Sequence, residues 1–78
     1  MIKELIEHIV KSLVEHPSEV SVILATKNET DFFEILVDHS DRGKVIGKEG
    51  QTIKALRSFV GLIVEPGKKI IVDIVADE

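Results

Sequence analysis

The chain has 78 residues, 44 % of them hydrophobic, and ten Lys and Arg against fourteen Asp and Glu give a net charge of −4. That length leaves room for one core, so a single domain over residues 1–78 is expected, and the apolar fraction excludes a disordered tail. With no cysteine, disulfides, thiolate metal sites and a thiol nucleophile are excluded as well.

The first element is a helix. Ile2, Leu5, Ile6, Ile9, Val10, Leu13 and Val14 recur at helical spacing and build one apolar stripe, with Lys3, Glu4, Glu7, Lys11 and Glu15 turned to water. Pro17 stops it. This acid-bearing N-terminus lacks the apolar stretch and cleavage site of a signal peptide. Uninterrupted apolar runs such as Ile70–Val72 are only a few residues long, too short to cross a bilayer. The expectation is a cytoplasmic protein without a membrane partner.

From Val20 to Thr26 the period changes to two, which predicts a strand. Lys27-Asn28-Glu29-Thr30 supplies a polar turn, and Phe33, Ile35 and Val37 alternate with Glu34 and Asp38 on a second strand, antiparallel to the first if the turn is a hairpin. His39-Ser40-Asp41 breaks the pattern with helix-capping chemistry. A short helical turn over about Asp41 to Ile46 runs into Gly47-Lys48-Glu49-Gly50, and a longer helix follows from about Gln51 to Val64. Ile53, Leu56, Val60 and Ile63 mark one apolar face of that helix. Ala55, Phe59 and Leu62 mark a second, which calls for burial against both a sheet and another helix, or against a partner subunit. Pro66-Gly67 ends it, and Ile70, Val72, Ile74 and Ala76 form a last strand. The order α-β-β-α-α-β predicts an α+β fold with helices layered on one face of a small sheet.

Charge is unevenly distributed. Between residues 42 and 57, Arg42, Lys44, Lys48, Lys54 and Arg57 stand against the single acid Glu49, a local +4 that leaves −8 on the rest of the chain. Such a cluster is either a solvated basic helix face or a focused anion site. Inside it, Val45-Ile46-Gly47-Lys48-Glu49-Gly50 sits between two helical segments. Two glycines three apart let the backbone turn sharply and approach a ligand, the N–H groups of the following helix face the loop, and Lys48 adds a cation at the tip. A tight helix–helix turn needs at most one such glycine. A nucleotide-binding P-loop is excluded: three residues rather than four separate Gly43 from Gly47, Glu49 follows Lys48, and no strand precedes the loop. Mononucleotide hydrolysis is therefore not expected.

Other chemistry is sparse. His8 and His16 are eight apart and cannot chelate one metal from a single helix. Asp38, His39 and Asp41 are the residues a strand-to-helix turn uses for capping, so no metal site is assigned there. No Ser-His-Asp or paired-carboxylate arrangement can be assembled, and neither an enzyme nor a cofactor is expected.

Asp41 to Arg57, DRGKVIGKEGQTIKALR, resembles the signature of a KH domain, and is most similar to the small bacterial single-domain KH proteins of the KhpA type. The element order likewise resembles the type II KH fold, with helices on one face of a three-stranded sheet, over essentially the whole chain. The resemblance implies a groove that holds about four single-stranded nucleotides, with the Gly-x-x-Gly loop clamping their backbone. Carried over by position, Gly47, Lys48, Glu49 and Gly50 are the clamp. Gly43, Lys44, Ile46 and Ile53 line the helical side, with Lys54 and Arg57 near the phosphates. The opposite wall is expected from the second strand, around Leu36 to Asp38. Glu49 departs from the ideal, since it places an anion where phosphates approach.

The resemblance also implies an RNA chaperone or post-transcriptional regulator. Its partners would be single-stranded RNA and a larger KH-containing protein of the KhpB (Jag or EloR) type, with links to cell shape in some bacteria. Two alternatives use the same fold: a module that mainly homodimerises or heterodimerises and touches RNA weakly, and a ribosome- or rRNA-associated assembly factor.

Overall fold

The computed structural model describes residues 1–75. Its first helix, α1 (Ile2–Leu13), buries Ile6 and Val10 completely. It ends earlier than the stripe predicts: Val14 is already extended, with φ −105° and ψ 162°. The N–H groups of Glu15 and His16, which a continuing helix would donate to its own carbonyls, go instead to the carboxylate of Asp41. Pro17 also biases His16 away from helical backbone, and opens a 3₁₀ turn over Pro17–Glu19.

Strands β1 (Ser21–Lys27) and β2 (Thr30–Leu36) form the expected antiparallel hairpin, in register from Ser21 opposite Leu36 to Lys27 opposite Thr30. Its loop is the pair Asn28-Glu29, both in left-handed backbone (φ 52° and 64°), the two-residue turn whose twist matches the strands. A 3₁₀ turn over His39–Asp41 leads into α2 (Arg42–Ile46), and α3 (Gln51–Ile63) follows the glycine loop. Strand β3 (Lys69–Ile74) pairs with β2 in parallel. A parallel pair needs a crossover connection, which α2 and α3 supply. The sheet order is β1-β2-β3, so β2 is central and β3 is an edge. Ala76, expected in the last strand, lies outside the described residues.

The core lies between one sheet face and the helices. Val20, Val22, Phe33, Ile35 and Val72 meet Ile6, Val10, Val45, Ile53, Leu56 and Val60. At about 1.5–3 kcal/mol for each large side chain withdrawn from water, these contacts hold the layers together. The second apolar face predicted for α3 is left open, with Phe59 nearly half exposed and Leu62 83 % exposed, and Ile63, expected on the first face, is nearly half exposed as well.

Candidate nucleic-acid interface

The loop between α2 and α3 is built from backbone that ordinary residues avoid. Gly47 has φ 78° and ψ 171°, Glu49 φ 57° and Gly50 φ 75°. A Cβ on Gly47 would strike the Thr52 hydroxyl and lie 2.8 Å from the Thr52 backbone nitrogen, so any side chain there is excluded by position as well as by conformation. At Gly50 the space is open, with only Lys54 Cε at 3.9 Å from a built Cβ, and the left-handed φ alone favours glycine. The turn is closed by Gly47 N–H donating to Gly43 O (2.8 Å) and Gly50 N–H donating to Gly47 O (3.1 Å).

Two features leave this loop receptive. No side chain caps the start of α3, where Gln51 N–H donates to Lys48 O, and the positive dipole end of the helix faces the loop. Lys48 and Glu49 are exposed at the tip and form no ion pair among the described residues. Lys54 stands one turn from Gly50 and extends the cationic side along α3. Gly43 adds bare backbone: a Cβ there would meet nothing within 4 Å. The fold therefore does not require this glycine, although one costs about 1 kcal/mol against alanine in a helix.

Gly43, Ile46, Gly47, Lys48, Glu49, Gly50 and Lys54 are thus brought together, while three of the expected residues have other employment. Ile53 is 6 % exposed and belongs to the core, fixing the first turn of α3 rather than lining a groove. Lys44 turns toward the tail of α1, with its Nζ 3.6 Å from Glu15 and 3.8 Å from Asp41. Arg57 reaches β3: its Nε donates to Val72 O at 2.7 Å, and a terminal nitrogen lies 3.3 Å from Asp73 Oδ1. The flank of α3 that carries Gly50, Lys54 and Arg57 therefore runs beside the outer edge of β3. The strand beside this flank is β3, not Leu36 to Asp38. Strand β2 is central and has no open edge, Val37 packs on the core, and Asp38 accepts from Ser40 N–H and Oγ–H in its own turn.

The capping residue is accordingly Asp38, and Asp41 is turned inward. Asp41 is fully buried; its oxygens accept from Glu15 N–H (3.1 Å) and His16 N–H (3.0 Å), and the His16 ring Nδ1 lies 2.9 Å away. Burial pushes its carboxyl pKa up, but these bonds outweigh burial and hold it below the ordinary 3.8. The hydrogen bond to Asp41 in turn raises His16 above 6.5. Asp38, bonded by Ser40, is also lowered. One ligand atom from each of His16, Asp38 and Asp41 lies within 4.8 Å of the others. The carboxylates already accept from backbone N–H groups and Ser40, which accounts for the cluster without a cation. His16 is the member the sequence could not supply, because it is 25 residues from Asp41; His39, the neighbour in sequence, is exposed and outside the cluster.

A helix–Gly-x-x-Gly–helix unit inserted between a parallel strand pair, with helices on one sheet face, is the architecture of a KH domain. The family model described as "KhpA/KhpB, KH domain" matches residues 3–74. Three curated relatives, each named RNA-binding protein KhpA, align along nearly the full chain. The protein of Leifsonia xyli subsp. xyli is 36 % identical over 99 % of this chain and 100 % of its own. That of Thermotoga maritima is 38 % identical over 94 % and 97 %, and that of Clostridium perfringens 42 % identical over 94 % and 99 %. The chain belongs to the KhpA/KhpB KH-domain family, which is non-catalytic. No helix among the described residues is long and apolar enough to cross a membrane.

Proposed function

We propose that this chain is a cytoplasmic, cofactor-free binder of single-stranded RNA, which clamps the sugar–phosphate backbone against Gly47–Gly50 and leads it between α3 and the edge of β3. The observation that carries the reading is the loop itself. Left-handed glycine backbone, a start of α3 that no side chain caps and the unpaired Lys48 converge on one exposed spot. The relatives' common name supports RNA as the ligand. A groove of this kind takes about four nucleotides, which suits a chaperone or post-transcriptional regulator acting on many transcripts with a KhpB-type partner.

The test replaces Lys48 and Glu49 together by Asp and measures fluorescence anisotropy on a labelled single-stranded RNA pool. Both glycines remain, so circular dichroism and melting temperature should match the parent while RNA affinity is mostly lost. Unchanged affinity in a folded double variant overturns the clamp.

A second reading, a dimerising adaptor with weak RNA contact, is favoured by one observation. Ile9 and Leu13 of α1 and Ala55 and Phe59 of α3 line an apolar groove on the helical side, beside the exposed Leu62. On that reading, anisotropy shows no saturable binding below high micromolar concentration, and sedimentation shows self-association that Leu62→Lys abolishes.

A further inference from the structure

Helix α2 is only five residues long, far below the length at which a helix holds itself together. Its position, and with it the position of the loop it feeds, depends on what anchors it. One anchor is Val45, fully buried in the core. The other is Asp41, the residue before α2 and the single buried polar or charged side chain among the described residues. Through Asp41 the tail of α1 is bonded to the start of α2 by two backbone N–H groups and the His16 ring, and Lys44 of α2 adds a longer contact to Glu15. One turn later, Gly47 N–H bonds back to Gly43 O. A shift at Asp41 is therefore passed along a helix too short to absorb it, and reaches the first glycine of the loop.

We propose that Asp41 is the positioning residue of the clamp and that the His16 ring makes its hold on α2 sensitive to pH. The proposal rests on the clamp reading above. The groups facing His16 are Asp41 at 2.9 Å, Asp38 at 3.9 Å and the neighbouring Glu15, while Lys44 faces Asp41 and Glu15 from α2. Three carboxylates around one imidazole, against Lys44 and the half-buried Arg42 on α2, favour the protonated ring, in agreement with its raised pKa. A protonated ring donates a charge-assisted bond to Asp41; a neutral ring donates a weaker one, and only as the Nδ1–H tautomer. The hold therefore relaxes as pH rises through the folded-state pKa of His16.

The experiment compares the parent, His16→Asn and His16→Ala well below their melting temperatures. It reads RNA affinity by anisotropy at about pH 6 and about pH 8, and the amide NMR signals of Gly47 and Gly50 across that range. Asn places its Nδ2–H₂ where Nδ1 stood and does not titrate. The parent should bind RNA roughly two- to fivefold more tightly at the lower pH, with the Gly47 and Gly50 amides sharing the His16 ring's midpoint. His16→Asn should keep parental affinity with a flattened pH profile and silent amides. His16→Ala should be weaker at both values, with displaced Gly47 and Gly50 signals and unchanged circular dichroism. His8 and His39 are present in all three proteins and cancel in the comparison. Parental pH profiles and amide positions in both variants overturn the proposal while the clamp stands, provided Lys48→Asp/Glu49→Asp still loses RNA. If that double variant binds RNA normally, the clamp reading itself falls, and the positioning role falls with it.

Discussion

Two four-residue turns in this molecule look alike on paper and are built differently. Lys27-Asn28-Glu29-Thr30 and Gly47-Lys48-Glu49-Gly50 each contain one lysine and one glutamate, and each needs left-handed backbone at two or more positions. The hairpin turn is closed on itself. Lys27 and Thr30 are a paired register position, Thr26 Oγ–H donates to Asp31 at 2.8 Å, and Lys68 lies 3.1 Å from the other Asp31 oxygen. The clamp turn opens onto a helix start with no side-chain cap; its charges, like Lys27 and Glu29 of the hairpin, form no ion pair among the described residues. Charge and a tight turn do not make a site. The proposed clamp adds a helix start that no side chain caps.

The largest expected effect that separates the two turns comes from Gly47→Ala. Left-handed backbone and collision with Thr52 should cost roughly 2–3 kcal/mol in chemical denaturation, whereas Glu29→Gly in the hairpin should be neutral or slightly stabilising. Equal losses in the two would show that the clamp turn is no more constrained than the hairpin. Next comes charge inversion. Lys48→Asp with Glu49→Asp should weaken RNA binding about tenfold or more, close to 1.4 kcal/mol, while Lys27→Asp with Glu29→Asp should leave anisotropy curves in place. A hairpin variant that also lost RNA would mean that general electrostatics, not the loop, binds the ligand.

Salt sharpens the same contrast. Counting the whole basic segment suggests three or four phosphates and a slope of log affinity on log salt near −2 to −3; Arg42, Lys44 and Arg57 are engaged within the fold, leaving Lys48 and Lys54, about two phosphates and a slope near −1.4. A flat response would remove the segment from the interface. Glu49→Gln should tighten RNA binding by no more than about fivefold, with stability unchanged; weaker binding would reveal a contact made by the carboxylate.

The smallest effect is on folding. Because His16 is raised, its contribution is complete below 6.5 and fades as pH rises through the folded value. Because Asp41 is lowered, its contribution holds above 3.8 and fades as pH falls through the folded value. The excess stability of the parent over His16→Asn should therefore be largest near pH 6 and shrink toward pH 8, as read from denaturation midpoints.

The six elements were legible from local signals: periods of 3.6 and 2, Pro17 and Pro66 as stops, and the glycine pair between two helical segments. The loop residues were legible for the same reason, since left-handed backbone has a residue signature. What pairs with what was not. Neither the parallel pairing of β3 with β2 nor its place at the sheet edge follows from alternation, which is the same for central and edge strands. Arg57 and Lys44 read as phosphate cations because sequence shows charge but not the carbonyl or carboxylate already waiting across the fold.

By itself, then, the sequence determined the element types, the single core and the conformation of Gly47–Gly50, because each depends on residues a few positions apart. The folded arrangement settles which cations stay unpaired, that β3 runs beside α3, and that Asp41 turns from a helix cap into a buried anchor for His16. Those outcomes depend on contacts between segments more than a dozen residues apart, and hydrogen-bond partners at that distance leave no periodic trace in the chain.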